Sequence, residues 1–332
     1  MLSYVLPLRS SSPRLDLTGY LEALADFAEV GEVLVVDGSG PEVTARHAEE
    51  WGPVQGLRHI VLDAAGATPM GKVGGVLAGL REAAYETVVV ADDDVRWTPE
   101  QLGEAARRLS HCEVLRPQNW FDPQPWHARW DTGRILLNRV SGGDWPGTLV
   151  VRRSAILRAG GYAGDVLFEN LELVRTIRAA GGREHVALDI LVRRLPPPTG
   201  QFLNQRVRQA YDELARPWRL AAYLALVPMI AATRGRVVAP LALLTTAGAE
   251  VGRRRRGGRE VFATTAALWA PLWLGERAVT SWLAVASHLA IGGIRYRGTV
   301  LRRAATPMRH LRRRLEDRRP HGDPWVGEGR NR

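Results

Sequence analysis

One cysteine stands in the 332 residues, Cys112, so no intramolecular disulfide framework and no cysteine-based zinc site can be built. A lone cysteine of this kind reads as a small core residue. Lysine is as scarce: Lys72 is the only one, and every other basic residue is arginine in a chain of net charge +10. Long apolar runs are missing too, since none reaches the ~20 residues that cross a bilayer upright. There is no GxxxxGK[ST] loop and no GxGxxG turn, which removes two common phosphate-binding signatures. The arginine-rich tail has no interleaved aromatic platform, and the chain shows no nucleic-acid motif, so no nucleic acid is expected as a partner. The first eight residues run straight into Arg9 and a polar turn, which is not the pattern of a signal peptide. The N-terminal half is therefore expected in the cytoplasm.

What is present begins with alternation. Residues 3–8 read as a strand. Residues 17–30 have helical spacing, with Leu21, Leu24 and Phe27 as the apolar stripe. Residues 32–36 form a second strand that stops at Asp37-Gly38-Ser39-Gly40, and residues 58–62 suit a third. Gly71-Lys72-Val73-Gly74-Gly75 opens a helix that runs through residue 84. A glycine-rich turn at a helix N-terminus is a natural anion site, and equally a permitted turn with a surface lysine. Residues 87–91 are β-branched and apolar and end on Asp92, Asp93 and Asp94. Thr98 caps the next helix, with Pro99 at its first position. This alternation predicts an α/β fold, a mostly parallel sheet with helices on both faces. Asp37 and the three aspartates then share the carboxyl edge of the sheet, where ligands bind.

Three adjacent carboxylates repel one another. They stay ionised at low cost only with a cation or strong donors between them. A hard divalent ion, Mg²⁺ or Mn²⁺, answers that need through oxygen ligands. The alternative is a solvated acidic turn.

The ordered set of motifs resembles a family 2 glycosyltransferase of the GT-A fold over roughly residues 1–215. It comprises the first strand with Pro7, Val-Val-Asp-Gly-Ser at 35–39, and Asp92-Asp93-Asp94 as a form of the DxD motif. Gly160-Gly161-Tyr162, Phe168-Glu169-Asn170-Leu171-Glu172-Leu173 and Gln205-Arg206-Val207-Arg208-Gln209 follow in order. The resemblance implies a nucleotide-diphosphate sugar donor, contacted by Pro7, Asp37, Ser39 and Gln205. It also implies Asp92 toward the nucleotide and Asp94 toward the divalent ion. Asp93 is grouped with the nucleotide side, although strand alternation turns it away from its neighbours. Two departures stand out. The family's paired acids read Glu169-Asn170 here, and the tryptophan of Gln-x-x-Arg-Trp is replaced by Gln209.

Sugar transfer with inversion needs charge neutralisation on the leaving diphosphate, a base for the acceptor hydroxyl, and in-line placement. Glu169, at the start of a helix, is the expected base, and Asp144 is the reserve. Lys72 and Arg208 suit the phosphates, arginine by its planar donor fork. Trp145, Gly147 and Thr148 resemble the family's acceptor-side segment. Trp126 belongs to an aromatic cluster that suits sugar faces or lipid chains and equally suits simple packing. His127 reads as a hydrogen-bonding core or rim residue.

From residue 216 the composition turns apolar, in four stretches with basic outer flanks. Paired as hairpins they obey the positive-inside rule. Interfacial helices and ordinary helical packing are the other readings. The expected organisation is a catalytic domain at 1–215, a membrane-associated helical region at 216–300, and a basic, disordered tail at 301–332. The expected function is a metal-dependent inverting glycosyltransferase acting on a lipid or lipid-linked glycan. It would sit at the cell membrane with its catalytic domain on the cytoplasmic side. A polyprenyl-phosphate sugar synthase and a catalytically inactive nucleotide-sugar-binding scaffold are the rivals.

Overall fold

The computed structural model describes residues 1–317. Its strands in chain order are β1 (Leu2–Leu8), β2 (Val30–Asp37), β3 (Leu57–Val61), β4 (Thr87–Ala91), β5 (Val95–Arg96), β6 (Val114–Phe121), β7 (Thr148–Arg152), β8 (Glu184–Arg194), β9 (Ile294–Tyr296) and β10 (Thr299–Leu301). Its helices are α1 (Thr18–Ala25), α2 (Pro41–Trp51), α3 (Gly71–Glu82), α4 (Pro99–Leu109), α5 (Trp126–Val140), α6 (Arg153–Arg158), α7 (Glu169–Ala179), α8 (Thr199–Tyr211), α9 (Pro217–Ala232), α10 (Val238–Arg254), α11 (Ala270–Ile291) and α12 (Met308–Glu316).

Eight strands form one sheet in the order β3-β2-β1-β4-β7-β6-β8-β5. The first four run parallel. β7 is antiparallel to β4 and β6, β6 is parallel to β8, and β5 is antiparallel to β8. The sheet is mixed rather than mostly parallel, because crossover helices build only its first half. The β4–β7 register sets Ala91 opposite Thr148, which brings Gly147 over the first aspartate.

The apolar runs are continuous because both faces of the central strands are covered. Val5, Leu34, Val36, Val88 and Val90 pack under α3 and α7. Tyr4, Leu6, Val33, Val35 and Val89 pack on the opposite face, with α1 and α4. The close approach of α3 to β1 depends on its glycines: a Cβ on Gly75 would meet Pro7 Cβ at 2.8 Å, and one on Gly79 would meet Val5 Cγ1 at 2.4 Å.

The second half corrects two expectations. Among the described residues no helix is long and apolar enough to cross a membrane. The membrane-associated helical region at 216–300 and the placement at the cell membrane are both overturned. The packing gives the reason. α10 and α11 lie on α5, and α11 also packs on α8 and α9. Ala249, Ala270 and Trp273 are buried in those contacts. Glu276 and Arg277 lie inside the single helix α11, so two of the expected apolar stretches are one continuous helix. Glu276 there accepts Arg206 of α8 at 2.6 Å.

The tail is ordered further than expected. β9 and β10 form a hairpin, and α12 packs on α7 with Leu311 buried. Beyond residue 317 the expected disorder falls outside the described residues.

Candidate active site

The aspartates leave β4 at the sheet edge, and protein cations meet each of them. The Asp92 backbone N–H donates to the Gly147 carbonyl at 2.8 Å. A Cβ at Gly147 would lie 2.5 Å from Asp92 Oδ2, so only glycine permits that approach. Lys72 Nζ lies 2.6 Å from Asp92 Oδ1, and Arg194 reaches Asp92 Oδ2 at 3.3 Å. Arg194 Nε also donates to both Asp94 oxygens at 3.0 Å. The register Val95↔Arg194 at the β5–β8 edge puts it there. Asp93 points toward Arg14 and forms an ion pair with it.

These cations do not fully offset the acids. Burial pushes the Asp94 carboxyl up to about 6, and the neighbouring Asp92 and Asp93 charges add to that against the pull of Arg194. Each Asp92 and Asp94 oxygen already faces Lys72 or Arg194, so a divalent ion held by these two residues would have to displace those cations.

Two cavities meet at this point. The larger, about 630 Å³, is lined by Pro7, Arg9, Arg14, Asp92, Asp93 and Arg297, among others. The smaller, about 320 Å³, is lined by Trp145, Gly147, Glu169, Asn170, Arg208 and Asp212, among others. Lys72, Asp92 and Tyr296 line both.

In the smaller cavity Glu169 begins α7, and its Oε1 accepts Lys72 Nζ at 2.8 Å. The backbone before it is pinned from the far end of the chain. Leu167 and Phe168 donate N–H bonds to the Arg303 and Ala304 carbonyls at 3.0 and 2.8 Å. Asn170 Nδ2 donates to the Pro146 carbonyl at 2.8 Å. Trp145 meets Phe168 edge-to-face, with ring centroids 5.1 Å apart. Its other side is covered by Arg116, whose guanidinium also binds the carbonyls of Gly142, Gly143 and Asp144.

Asp37 is fully buried at the end of β2. Its Oδ2 faces His47 Nδ1 at 2.6 Å and His59 Nε2 at 3.0 Å, and its Oδ1 accepts the Ser39 N–H at 2.9 Å. The Arg14 backbone N–H donates to His47 Nε2 at 2.8 Å. That bond leaves the His47 proton on Nδ1, directed at Asp37. The three side chains are close enough to share a metal ion. Their donor atoms are already spent on one another and on the backbone, so the group reads as a hydrogen-bonded anchor. Burial raises the Asp37 pKa, but hydrogen bonds from His59, Ser39 and His47 outweigh it and hold the carboxyl below its ordinary range.

Residues 16–135, a span that covers α1 through β6 and the aspartates, match the model of Glycosyl transferase family 2. The chain carries a family 2 glycosyltransferase domain. It is a glycosyltransferase. No curated protein matches it in sequence. Among solved structures it is similar to a mannosyltransferase from Pyrobaculum calidifontis in complex with GDP-mannose and Mn²⁺. The identity is 18%, over 85% of this chain and 86% of that one, with a TM-score of 0.50. It is also similar to residues 1–349 of TarS from S. aureus, at 15% identity over 90% and 95% of the two chains, with a TM-score of 0.44. The mannosyltransferase likeness supports a GT-A-like fold.

The glycosyltransferase domain gathers some expected residues and not others. Pro7, Lys72, Asp92 and Asp93 line the larger cavity, and Glu169, Gln205, Arg208, Trp145 and Gly147 line the smaller. Asp37 and Ser39 stand behind the larger cavity, where Ser39 Oγ accepts the Ser10 N–H at 2.9 Å. Asp144 is buried and bound by Arg134 and by Asn138 Nδ2 at 2.8 Å, away from both cavities. Thr148 is buried too, donating to the Val90 carbonyl at 2.7 Å. Trp126 is 46% exposed and packs with Trp130 and Phe202. His127 Nε2 faces the Pro197 carbonyl at 2.8 Å, a rim role.

Arg14, Arg194, Asp212, Tyr296 and Arg297 were not singled out from the sequence. Arg194 carried one signal, its place at the end of a strand-like run. The hairpin residues lay in a stretch read as a basic flank of the apolar segments.

Proposed function

We propose that this glycosyltransferase moves a sugar, with inversion, from a nucleotide-diphosphate sugar in the larger cavity to an acceptor in the smaller. The acceptor is a hydroxyl of a lipid or lipid-linked glycan. The observation that carries this reading is the shared boundary: Lys72, Asp92 and Tyr296 line both cavities. A donor on one side and an acceptor on the other can then be held in line, which supplies much of the barrier reduction.

Each wall has a task. Arg9 and Arg297 line the donor cavity and would meet the diphosphate, with arginine's donor fork matched to phosphate oxygens. Lys72 ties Asp92 to Glu169 and holds the boundary. The Trp145–Phe168 pair gives the acceptor an aromatic wall. Asp92 and Asp94 would hold Mg²⁺ or Mn²⁺, which supplies charge neutralisation to the leaving diphosphate when bound. The mannosyltransferase relative, solved with GDP-mannose and Mn²⁺, makes that donor and that ion the first to try.

A phosphate acceptor is the second reading. It is favoured by Asn170, which cannot take a proton, and by Arg208 in the same cavity. A polyprenyl-phosphate acceptor needs no strong base.

The test is nucleotide release from a panel of GDP- and UDP-sugars with Mg²⁺ or Mn²⁺, in wild type and Asp94→Ala. Metal-dependent release that disappears in the variant is expected. Nucleotide binding with no release from any donor would leave only an inactive binding scaffold.

A further inference from the structure

Of the three acid side chains lining the acceptor cavity, Asp92, Glu169 and Asp212, the first two are already met by cations. Glu169 is held by Lys72 at 2.8 Å. Asn170 donates to the Pro146 carbonyl at 2.8 Å and faces Lys72 at 3.5 Å. The third is Asp212. It opens the single turn Asp212–Ala215 directly after α8, the helix that carries Gln205 and Arg208. It lines the same cavity as Glu169 and Asn170, and its Oδ1 is buried with no hydrogen-bond partner among the described residues. A buried carboxyl oxygen left unpaired costs on the order of 1–3 kcal/mol, a penalty that a role in the reaction would offset.

We propose that Asp212 is the proton acceptor of the transfer, taking the role that Asn170 cannot fill. This rests on the transfer reading above. The acceptor O–H bond breaks and its proton goes to Asp212. The freed oxygen pair forms the new bond to the sugar's anomeric carbon. The bond from that carbon to the diphosphate breaks, and its electron pair leaves on the diphosphate oxygen. Asp212 ends as a carboxylic acid and returns its proton to water. Glu169 keeps a separate task, anchoring Lys72 at the boundary.

The surroundings suit a base. Burial raises the Asp212 pKa well above the carboxylate range, Glu169 and Glu213 raise it further, and Arg216 and Arg277 pull against them. The other charged groups on the cavity wall are Lys72, Asp92, Arg194 and Arg208. A carboxylate with a raised pKa is a stronger base than one paired with lysine, and general base catalysis contributes roughly 10²–10⁴-fold.

The experiment compares wild type, Asp212→Asn, Asp212→Glu and the double variant Asp212→Asn/Asn170→Asp. Nucleotide release from GDP-mannose and UDP-glucose with Mn²⁺ is followed across pH, with water as acceptor. GDP and UDP affinity is read by thermal shift. Asp212→Asn should lower kcat by about 100-fold or more, keep KM and nucleotide affinity, and remove the limb of the profile that rises with pH. The double variant should recover part of the loss, because it puts a carboxylate back beside the acceptor. Should Asp212→Asn fail to fold, Asp212→Glu decides: a lowered kcat with unchanged nucleotide affinity supports the assignment. Wild-type kcat with the limb intact, in whichever variant folds, overturns it. Wild type that releases no nucleotide from any donor overturns the transfer reading, and this assignment falls with it. An active wild type with an equally active Asp212→Asn overturns this assignment alone.

Discussion

Lys72 Nζ lies 2.8 Å from Glu169 Oε1, although 97 positions separate the two residues. The same nitrogen lies 2.6 Å from Asp92 Oδ1. The chain's single lysine therefore joins the donor-side aspartates to the acceptor-side glutamate. The contacts with Asp92 and Glu169 raise its own pKa despite burial, so it stays charged at any working pH. Lys72→Met should leave two half-buried carboxylates facing each other without a cation. The expected cost is roughly 3 kcal/mol in urea unfolding, with nucleotide release abolished. Lys72→Arg should restore the stability and little of the activity, because a planar guanidinium cannot present one point charge to two diverging acids.

Asp94 carries the metal prediction. Its carboxyl is pushed up to about 6, first by burial and then by Asp92 and Asp93. A metal ligand must be deprotonated, so Mn²⁺ affinity should rise with pH through that value and level off above it. Titration of free Mn²⁺ by electron paramagnetic resonance between pH 5 and pH 8 reads this directly. Asp94→Asn should abolish the rise. Chelation should stop turnover and leave the melting temperature unchanged, since Arg194 and Lys72 already hold the aspartates in place. A pH-independent Mn²⁺ affinity in wild type would count against Asp94 as a ligand.

The aspartates were legible in the sequence because they follow a strand buried on both faces, and Lys72 because a glycine-rich turn opens its helix. A continuous β-branched run such as residues 87–91 suits little besides a strand covered on both sides. Arg194 was not legible. It reaches Asp94 through the β5–β8 pairing, which joins segments about 100 positions apart and leaves no local pattern. Residues 216–300 misled for a different reason. Short apolar helices have the same composition whether they meet lipid or other helices. What separates the two here is the ion pair from Glu276 to Arg206, which is a tertiary contact. Asp212 escaped notice because its burial comes from tertiary packing and the charges acting on it come from residues as distant in sequence as Glu169 and Arg277.

Asp37 is expected to govern acid stability. Its carboxyl is held below its ordinary range by hydrogen bonds from His59, Ser39 and His47, which overcome the opposing effect of burial. An acid with a lowered folded-state pKa contributes stability that is complete above the unfolded pKa, about 4. That stability is lost as pH falls through the folded value. Urea unfolding should therefore show a steep loss below about pH 4 in wild type. Asp37→Asn should be roughly 2–4 kcal/mol less stable at pH 7 and shallower below pH 4. An equally steep acid limb in the variant would assign the loss to other carboxylates.

Arg297 and Gly298 turn the hairpin between β9 and β10, with φ of 45° and 83°. Two successive positive φ values in a two-residue hairpin loop favour asparagine followed by glycine. An arginine there is strained, by on the order of 1 kcal/mol. It nonetheless lines the donor cavity beside Tyr296, whose ring lies 5.6 Å from the Arg208 guanidinium. A strained residue pointing a charge into a cavity suggests that ligand binding keeps it there. Arg297→Asn should therefore move two quantities in opposite directions. The melting temperature should rise by roughly 2 °C, because the turn relaxes. The donor KM should rise about tenfold with kcat nearly unchanged, because a charge that meets the ground-state diphosphate is lost. A stability gain with an unchanged KM would make the arginine incidental to the donor, and a loss of both would mean that its guanidinium supports the fold.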